Sequence, residues 1–172
     1  MSECVKVLRD ELPYNLHIFV NSVEFIAKVI DTLKLAPEAV KIVCSTSGDS
    51  RQENQRKLGN AYPIGQPSDP AKKINFYTST CFEGCDIFDP DGVTFIVSDG
   101  RKAHTLLDIS TLFTQICGRI RDSRYKTQIV HVYSTTKYSK AVTLDEFVAA
   151  TQRTLADAEK FASDINAVDE PS

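Results

Sequence analysis

Nowhere in its 172 residues does this chain carry a G-x-x-x-x-G-K-[ST] loop, and no strand-to-helix turn reads G-x-G-x-x-G. It therefore lacks the parts with which a nucleotide-binding enzyme cradles phosphates by itself. No apolar run approaches the roughly 20 residues needed to span a membrane, and nothing at the start reads as a signal peptide. A basic excess is missing too. The net charge of −3 argues against a self-sufficient nucleic-acid binder, while leaving open local contacts through amides and hydroxyls. The five cysteines (Cys4, Cys44, Cys81, Cys85, Cys117) are odd in number and sit mostly in apolar runs, which reads as reduced thiols of a cytoplasmic protein. Cys81-x-x-x-Cys85 has no second pair to complete a zinc site, so no metal ligand is expected.

What is present is an ordinary globular composition, 42% hydrophobic and 25% charged, of a length that suits one domain. Short apolar runs alternate with helical patterns. Leu16 to Val20, Val40 to Cys44, Lys73 to Thr78, Val93 to Ser98 and Gln128 to Tyr133 read as strands buried on both faces. Between them, Asn21 or Ser22 caps a helix to Leu33, Ser50 to Leu58 is a polar helix, and Asp108 caps an amphipathic helix running to Ile120. Residues 59–72, with three prolines, form a loop. Thr143-Leu144-Asp145-Glu146 is a capping box opening a last helix to about Ile165, and a frayed tail covers 167–172. Cys4 to Leu12 reads as a linker helix entering the 14–166 domain from a preceding one. The pattern predicts an α/β fold, an open parallel sheet of about five to six strands flanked by helices.

In such sheets function gathers beyond the carboxyl ends of the strands, and the polar clusters fall there: Asn21 and Ser22, Ser45 to Ser47, Thr78 to Thr80, Asp99 to Arg101. Two stretches carry chemistry. In Asn75 to Ile87 a strand ends in three hydroxyl residues and a glycine-acid turn follows. Hydroxyls and amides there suit a nucleic-acid backbone, and Asp86 can accept from a ribose hydroxyl. The bland alternative is a Ser/Thr-rich loop with a turn-forming aspartate. In Gln115 to Arg121 a glutamine and two arginines close an amphipathic helix, the arrangement by which one domain reaches a nucleotide held by another. Arginine forks onto phosphate and stays charged. For Arg121 and Arg124 the alternative is a solvated basic terminus complementing the helix dipole. Arg101, Lys102 and His104 either touch phosphate or simply cover a solvated loop.

Taken together, T-x-x-x-x-x-G-x-D (Thr78 to Asp86) and, about thirty residues on, Q-x-x-G-R-x-R (Gln115 to Arg121) resemble motifs V and VI of superfamily 2 helicases. Leu16 to Ser22 resembles their motif IV, and Val43 to Ser45 the short motif after it. The compact G-R-x-R ending is similar to the group that includes the herpesvirus origin-binding helicases, which act in DNA replication. The resemblance implies the second, carboxyl-terminal RecA-like domain of such a motor. It implies Arg119 as the arginine finger, Gln115 near the γ-phosphate or its water, and Gly84 and Asp86 near the ribose. Asn21, Ser22, Ser45, Thr78, Ser79 and Thr80 would lie along a single strand, DNA favoured over RNA. ATP and Mg²⁺ would be held mainly by an N-terminal RecA-like partner domain carrying the phosphate loop, so this chain alone should not hydrolyse ATP. Relatives place the second arginine three residues after the first, where this chain has Asp122. Arg121 comes one residue early, a swing of about 100° on a helix. The rival readings are a degenerate RecA-like domain kept as an interaction platform, and a stand-alone nucleotide-binding enzyme.

Overall fold

The computed structural model describes residues 2–107, 109–134, 143–153, 156 and 160. Two compact units divide the chain, Met1–Ser134 and Thr135–Ser172. The first is an α/β unit built on a five-stranded, all-parallel sheet flanked by helices, consistent with an open RecA-like sheet.

Its strands are β1 (Asn15–Phe19), β2 (Val40–Val43), β3 (Ile74–Tyr77), β4 (Gly92–Asp99) and β5 (Ile129–Ser134), in the order β2-β3-β1-β4-β5. All five fall on the apolar runs of the sequence. Helix α1 (Ser2–Leu8) ends before Asp10, whose φ of 54° turns the chain. It is shorter than the linker helix expected to reach Leu12, and it packs into the unit, with Val7 and Cys4 buried. Helix α2 (Val23–Leu33) starts where Ser22 Oγ accepts the Phe25 amide at 3.2 Å, and Lys34 closes it in the left-handed conformation. Polar helix α3 (Ser50–Leu58) buries only Leu58.

Period-two alternation sorts the strand residues between two cores. Ile18, Ile42, Phe76 and Phe95 face one side with Ile26, Val29 and Ile30 of α2. Phe19, Val43, Tyr77 and Ile96 face the other, with Cys81, Phe82, Ile87, Ile116 and Ile120.

On this second side the strands begin with a polar row. Lys41 pairs with Asn75, Asn75 with His17, and His17 with Thr94, across four neighbouring strands, and all four residues are buried. Most of the row is bonded. Lys41 Nζ donates to the carbonyls of Pro67 (2.9 Å) and Asp69. Asn75 Nδ2 donates to the Leu16 and Lys72 carbonyls. His17 Nε2 lies 2.8 Å from Asp89 Oδ2 and its Nδ1 lies 3.1 Å from the Tyr77 hydroxyl. Gly92 permits this approach: a Cβ there would stand 2.9 Å from the His17 ring.

Burial alone would raise the Asp89 carboxyl, but bonds from His17, Asn15 and the Asp91 amide outweigh it and hold it below its ordinary 3.8. The folded chain thus binds this proton less tightly than the unfolded one. The stabilisation is full above pH 3.8 and is lost as pH falls through the lower, folded-state value. Urea unfolding at neutral pH and below pH 3.8 should show Asp89→Asn narrowing the stability gap between the two conditions. An unchanged gap would remove Asp89 as a source of acid sensitivity.

In the second unit, Thr143 and Glu146 form the capping box. The Thr143 amide donates to Glu146 Oε2 (2.8 Å), and the Glu146 amide donates to Thr143 Oγ1 (3.3 Å). A helix follows over 144–153. Apart from 156 and 160, its expected continuation to Ile165 and the tail lie outside the described residues, as does Asp108.

Candidate functional site

The amphipathic helix expected to run to Ile120 takes another form. A π-helical turn, Ile109–Phe113, passes into a short α4 (Thr114–Cys117), and Gly118 ends it. The chain then extends, because Ile120 pairs with Ile87 in an isolated parallel bridge. The Ile87 amide donates to the Arg119 carbonyl (2.9 Å), and the Arg121 amide donates to the Ile87 carbonyl (3.0 Å). The two motif-like segments are therefore joined to each other by backbone.

That bridge decides which side chains face outward. Ile87 and Ile120 are both 3% exposed and point into the core, so their neighbours on either side project away from it. Asp86 and Arg121 lie outside, their side chains 47% and 49% exposed, and Arg119 is half-buried beside them. The arginines flank an extended residue and do not stand on a helix, so a spacing of two places both on one side. The helical swing that seemed to displace Arg121 does not arise.

Arg119 Nε donates to the Gln115 carbonyl and Nη1 to the Cys85 carbonyl, each at 3.0 Å, while Nη2 takes part in neither bond. Arg121 Nε meets Asp86 Oδ1 at 2.7 Å. Gly84 sits between these contacts at a φ of +71°, in the left-handed region where a side chain is strained, and a Cβ there would meet nothing within 4 Å. Gln115 is exposed. Gly84, Asp86, Arg119 and Arg121 thus lie together on one outward side, which Gln115 joins through its backbone carbonyl.

The six residues expected along a nucleic-acid strand lie beyond the carboxyl ends of β1, β2 and β3, and they divide. Asn21 is a brace: its Nδ2 donates to the His104 carbonyl (2.8 Å) and its Oδ1 accepts the Ser79 amide (3.4 Å). Ser79 and Thr80 are exposed, and Ser45 is half-buried with its hydroxyl 2.9 Å from that of Ser47. Ser22 and Thr78 are buried at 8% and 5% exposure. Ser22 is occupied as a helix cap, and Thr78 turns the chain, its amide donating to Val43 and its carbonyl accepting from Cys81. Their hydroxyls are not on the surface where a bound strand would pass.

The five cysteines are free. Burial above all, with Cys85 and Cys44 nearby, pushes the Cys81 thiol up to about 12 against the opposing pull of Lys41, so it is no ready nucleophile. The exposed Asp99 carboxylate is held low by the Ser134 hydroxyl (2.6 Å) and the Arg101 amide (3.0 Å), which ties the loop after β4 to the end of β5.

Sequence reasoning passed over Phe88. It is 69% exposed beside Asp86, and the strict alternation of exposed and buried residues from 86 to 90 is the signal that marks it. Among the described residues, no helix is long and apolar enough to cross a membrane. No protein-family model matches the chain, and no curated protein or solved structure matches it.

Proposed function

We propose that this chain is the carboxyl-terminal RecA-like motor domain of an ATP-dependent superfamily 2 helicase or translocase. The observation that carries the reading is the backbone bridge joining Gly84–Asp86 to Arg119–Arg121, which sets an acid, two arginines and an open glycine turn on one outward face. Nucleotide phosphates suit this face. Arg119 has a guanidinium nitrogen outside its two backbone bonds, and Gly84 leaves its side of the turn unobstructed. When the partner domain closes, Arg119 would orient and neutralise the γ-phosphate oxygens, Gln115 would hold the attacking water, and Asp86 would accept from a ribose hydroxyl. Mg²⁺ and the phosphate loop belong to the partner domain in this reading. Asn21, Ser45, Ser79 and Thr80 would follow a single-stranded backbone, DNA before RNA, by contacts that carry no sequence.

One observation favours the rival, a degenerate domain kept as an interaction platform. Arg121 and Asp86 already satisfy each other at 2.7 Å, so a nucleotide must displace or share that pair.

ATP hydrolysis by the longest natural protein containing this segment, with and without single-stranded DNA or RNA, tests the proposal. Stimulated turnover is expected there, and none from these 172 residues alone. No stimulation in the longer protein, or turnover by this chain alone, would count against it.

A further inference from the structure

The two thiols of Cys81-x-x-x-Cys85 are brought together by one turn of the chain. Cys81 ends a 3₁₀ turn, Ser79–Cys81, and its side chain is wholly buried in the core that holds Phe19, Tyr77 and Phe82. Gly84 reverses the chain in the left-handed conformation, and Cys85 follows it half-buried. Its sulfur comes back onto the start of the turn: Cys85 Sγ donates to the Cys81 carbonyl at 3.2 Å, and the two thiols also hydrogen-bond to each other.

Both ends of this turn are held. The Cys81 amide donates to the Thr78 carbonyl (2.9 Å), and the Cys85 carbonyl accepts from Arg119 Nη1 (3.0 Å). Thiols already in contact on a held turn need only small side-chain rotations to bond. The buried ammonium of Lys41 lies within electrostatic reach of both sulfurs, and so gives a counterion to negative charge passing through either. Access separates the two. Cys81 is 0% exposed, so a reagent from solvent meets Cys85 first.

We propose that Cys81 and Cys85 form a redox-active pair, a modification site that takes a hydroperoxide and closes to a disulfide. The Cys85 sulfur attacks the peroxide, the O–O bond breaks, and the oxygen that leaves carries off the thiol proton as water or alcohol. Cys85 is then a sulfenic acid. The Cys81 sulfur next displaces hydroxide from Cys85: the S–S bond forms, the S–O bond breaks, and the Cys81 proton departs with the hydroxide as water. With hydrogen peroxide two thiols give up two electrons and two protons, and the peroxide becomes two waters. Cys81 thus acts only on a partner already activated, which suits a thiol that burial keeps protonated. The site stands on the turn itself and does not depend on the nucleotide reading.

Hydrogen peroxide added to the folded, fully reduced chain, followed by unfolding, alkylation and trypsin, tests the pair. Residues 74–101 are released as one peptide that holds both sulfurs. That peptide should lose two hydrogens, resist alkylation, and take up two alkyl groups only after reduction. Cys85→Ser should leave Cys81 a free thiol under the same exposure, while Cys81→Ala should leave Cys85 as a sulfenic acid that dimedone traps. The oxidised chain should melt no lower than the reduced one, because the bond closes on the turn as it stands. Peroxide that leaves both thiols open to alkylation, or that oxidises Cys81 without the Cys85 thiol, would overturn the proposal. So would a melting temperature that falls on oxidation, since the bond would then form only by breaking the turn. The first result is read on the unaltered chain and needs neither variant to fold.

Discussion

Under the proposed motor reading, Arg119→Ala is expected to lower nucleic-acid-stimulated ATP hydrolysis by about 10³-fold or more where a phosphate-loop domain completes the site. An arginine finger has that much leverage because it meets charge that develops only in the transition state, in a site from which water is excluded. The loss should fall on kcat, with a smaller change in KM. The substitution should cost little stability, because Arg119 is half-buried and its side-chain bonds run to two backbone carbonyls. Arg119→Lys should not rescue, since an ammonium cannot both hold the Cys85 carbonyl and fork onto phosphate. Arg121→Ala, freeing Asp86 from its 2.7 Å partner, should have a milder effect. A motor indifferent to Arg119→Ala would instead be one in which this domain has become a platform.

His17→Ala should destabilise the first unit by about 3–5 kcal/mol, because it empties a wholly buried ring position and leaves Asp89 only its bonds from Asn15 and the Asp91 amide. His17 is wholly buried, Asp89 nearly so, and the Tyr77 hydroxyl loses its partner in the same stroke. A domain's whole stability is commonly about 5–15 kcal/mol, so the melting temperature should drop by roughly 10–20 °C. His17→Gln, which keeps a donor toward one partner, should recover part of the loss. The exposed Lys34–Asp31 pair is a fitting control, its side chains 79% and 80% exposed and its removal within about 1 kcal/mol of neutral. A cost as small as that for His17→Ala would mean that water takes over the histidine's bonds.

The strands and α2 were legible because a parallel strand buried on both faces has to be apolar throughout, and Leu16 to Val20 can hardly be anything else. The Ser22 cap was legible for a local reason too, a short hydroxyl side chain before an apolar stripe. The end of α4 was not. Gln115 to Ile120 keeps a helical spacing of apolar residues across Gly118, the residue that ends the helix, and what extends the chain beyond it is a partner distant in sequence, Ile87, bridged to Ile120. The same long-range contact decided the geometry of Arg121, which no local rule could supply. Thr78 and Ser22 show the converse. Their residue type suits a ligand edge, but Ser22 is taken up by its own helix cap, and Thr78 is drawn into the turn by β2, whose Val43 carbonyl accepts its amide. Phe88 escaped notice because an isolated apolar residue near a turn looks like core until Ile87 is known to face inward. The outward patch was half-legible: the residue types could be read along the chain, while their meeting on one face was a tertiary fact.

A sheet assembled from nearly uniform apolar strands faces a problem of alignment, since sliding one strand along its neighbour exchanges one set of aliphatic contacts for another of similar worth. The row Lys41, Asn75, His17 and Thr94 removes that degeneracy. A slip of one residue in any of the four strands would send its polar member to the α2 side, among Ile18, Ile42 and Phe76, with no carbonyl or carboxylate waiting for it. A slip of two would leave it on the correct side but beside the aromatic layer of Phe19 and Tyr77. The row works as a key cut across four strands, and it admits a single pairing of the sheet from which the loops beyond β1 and β3 take their positions.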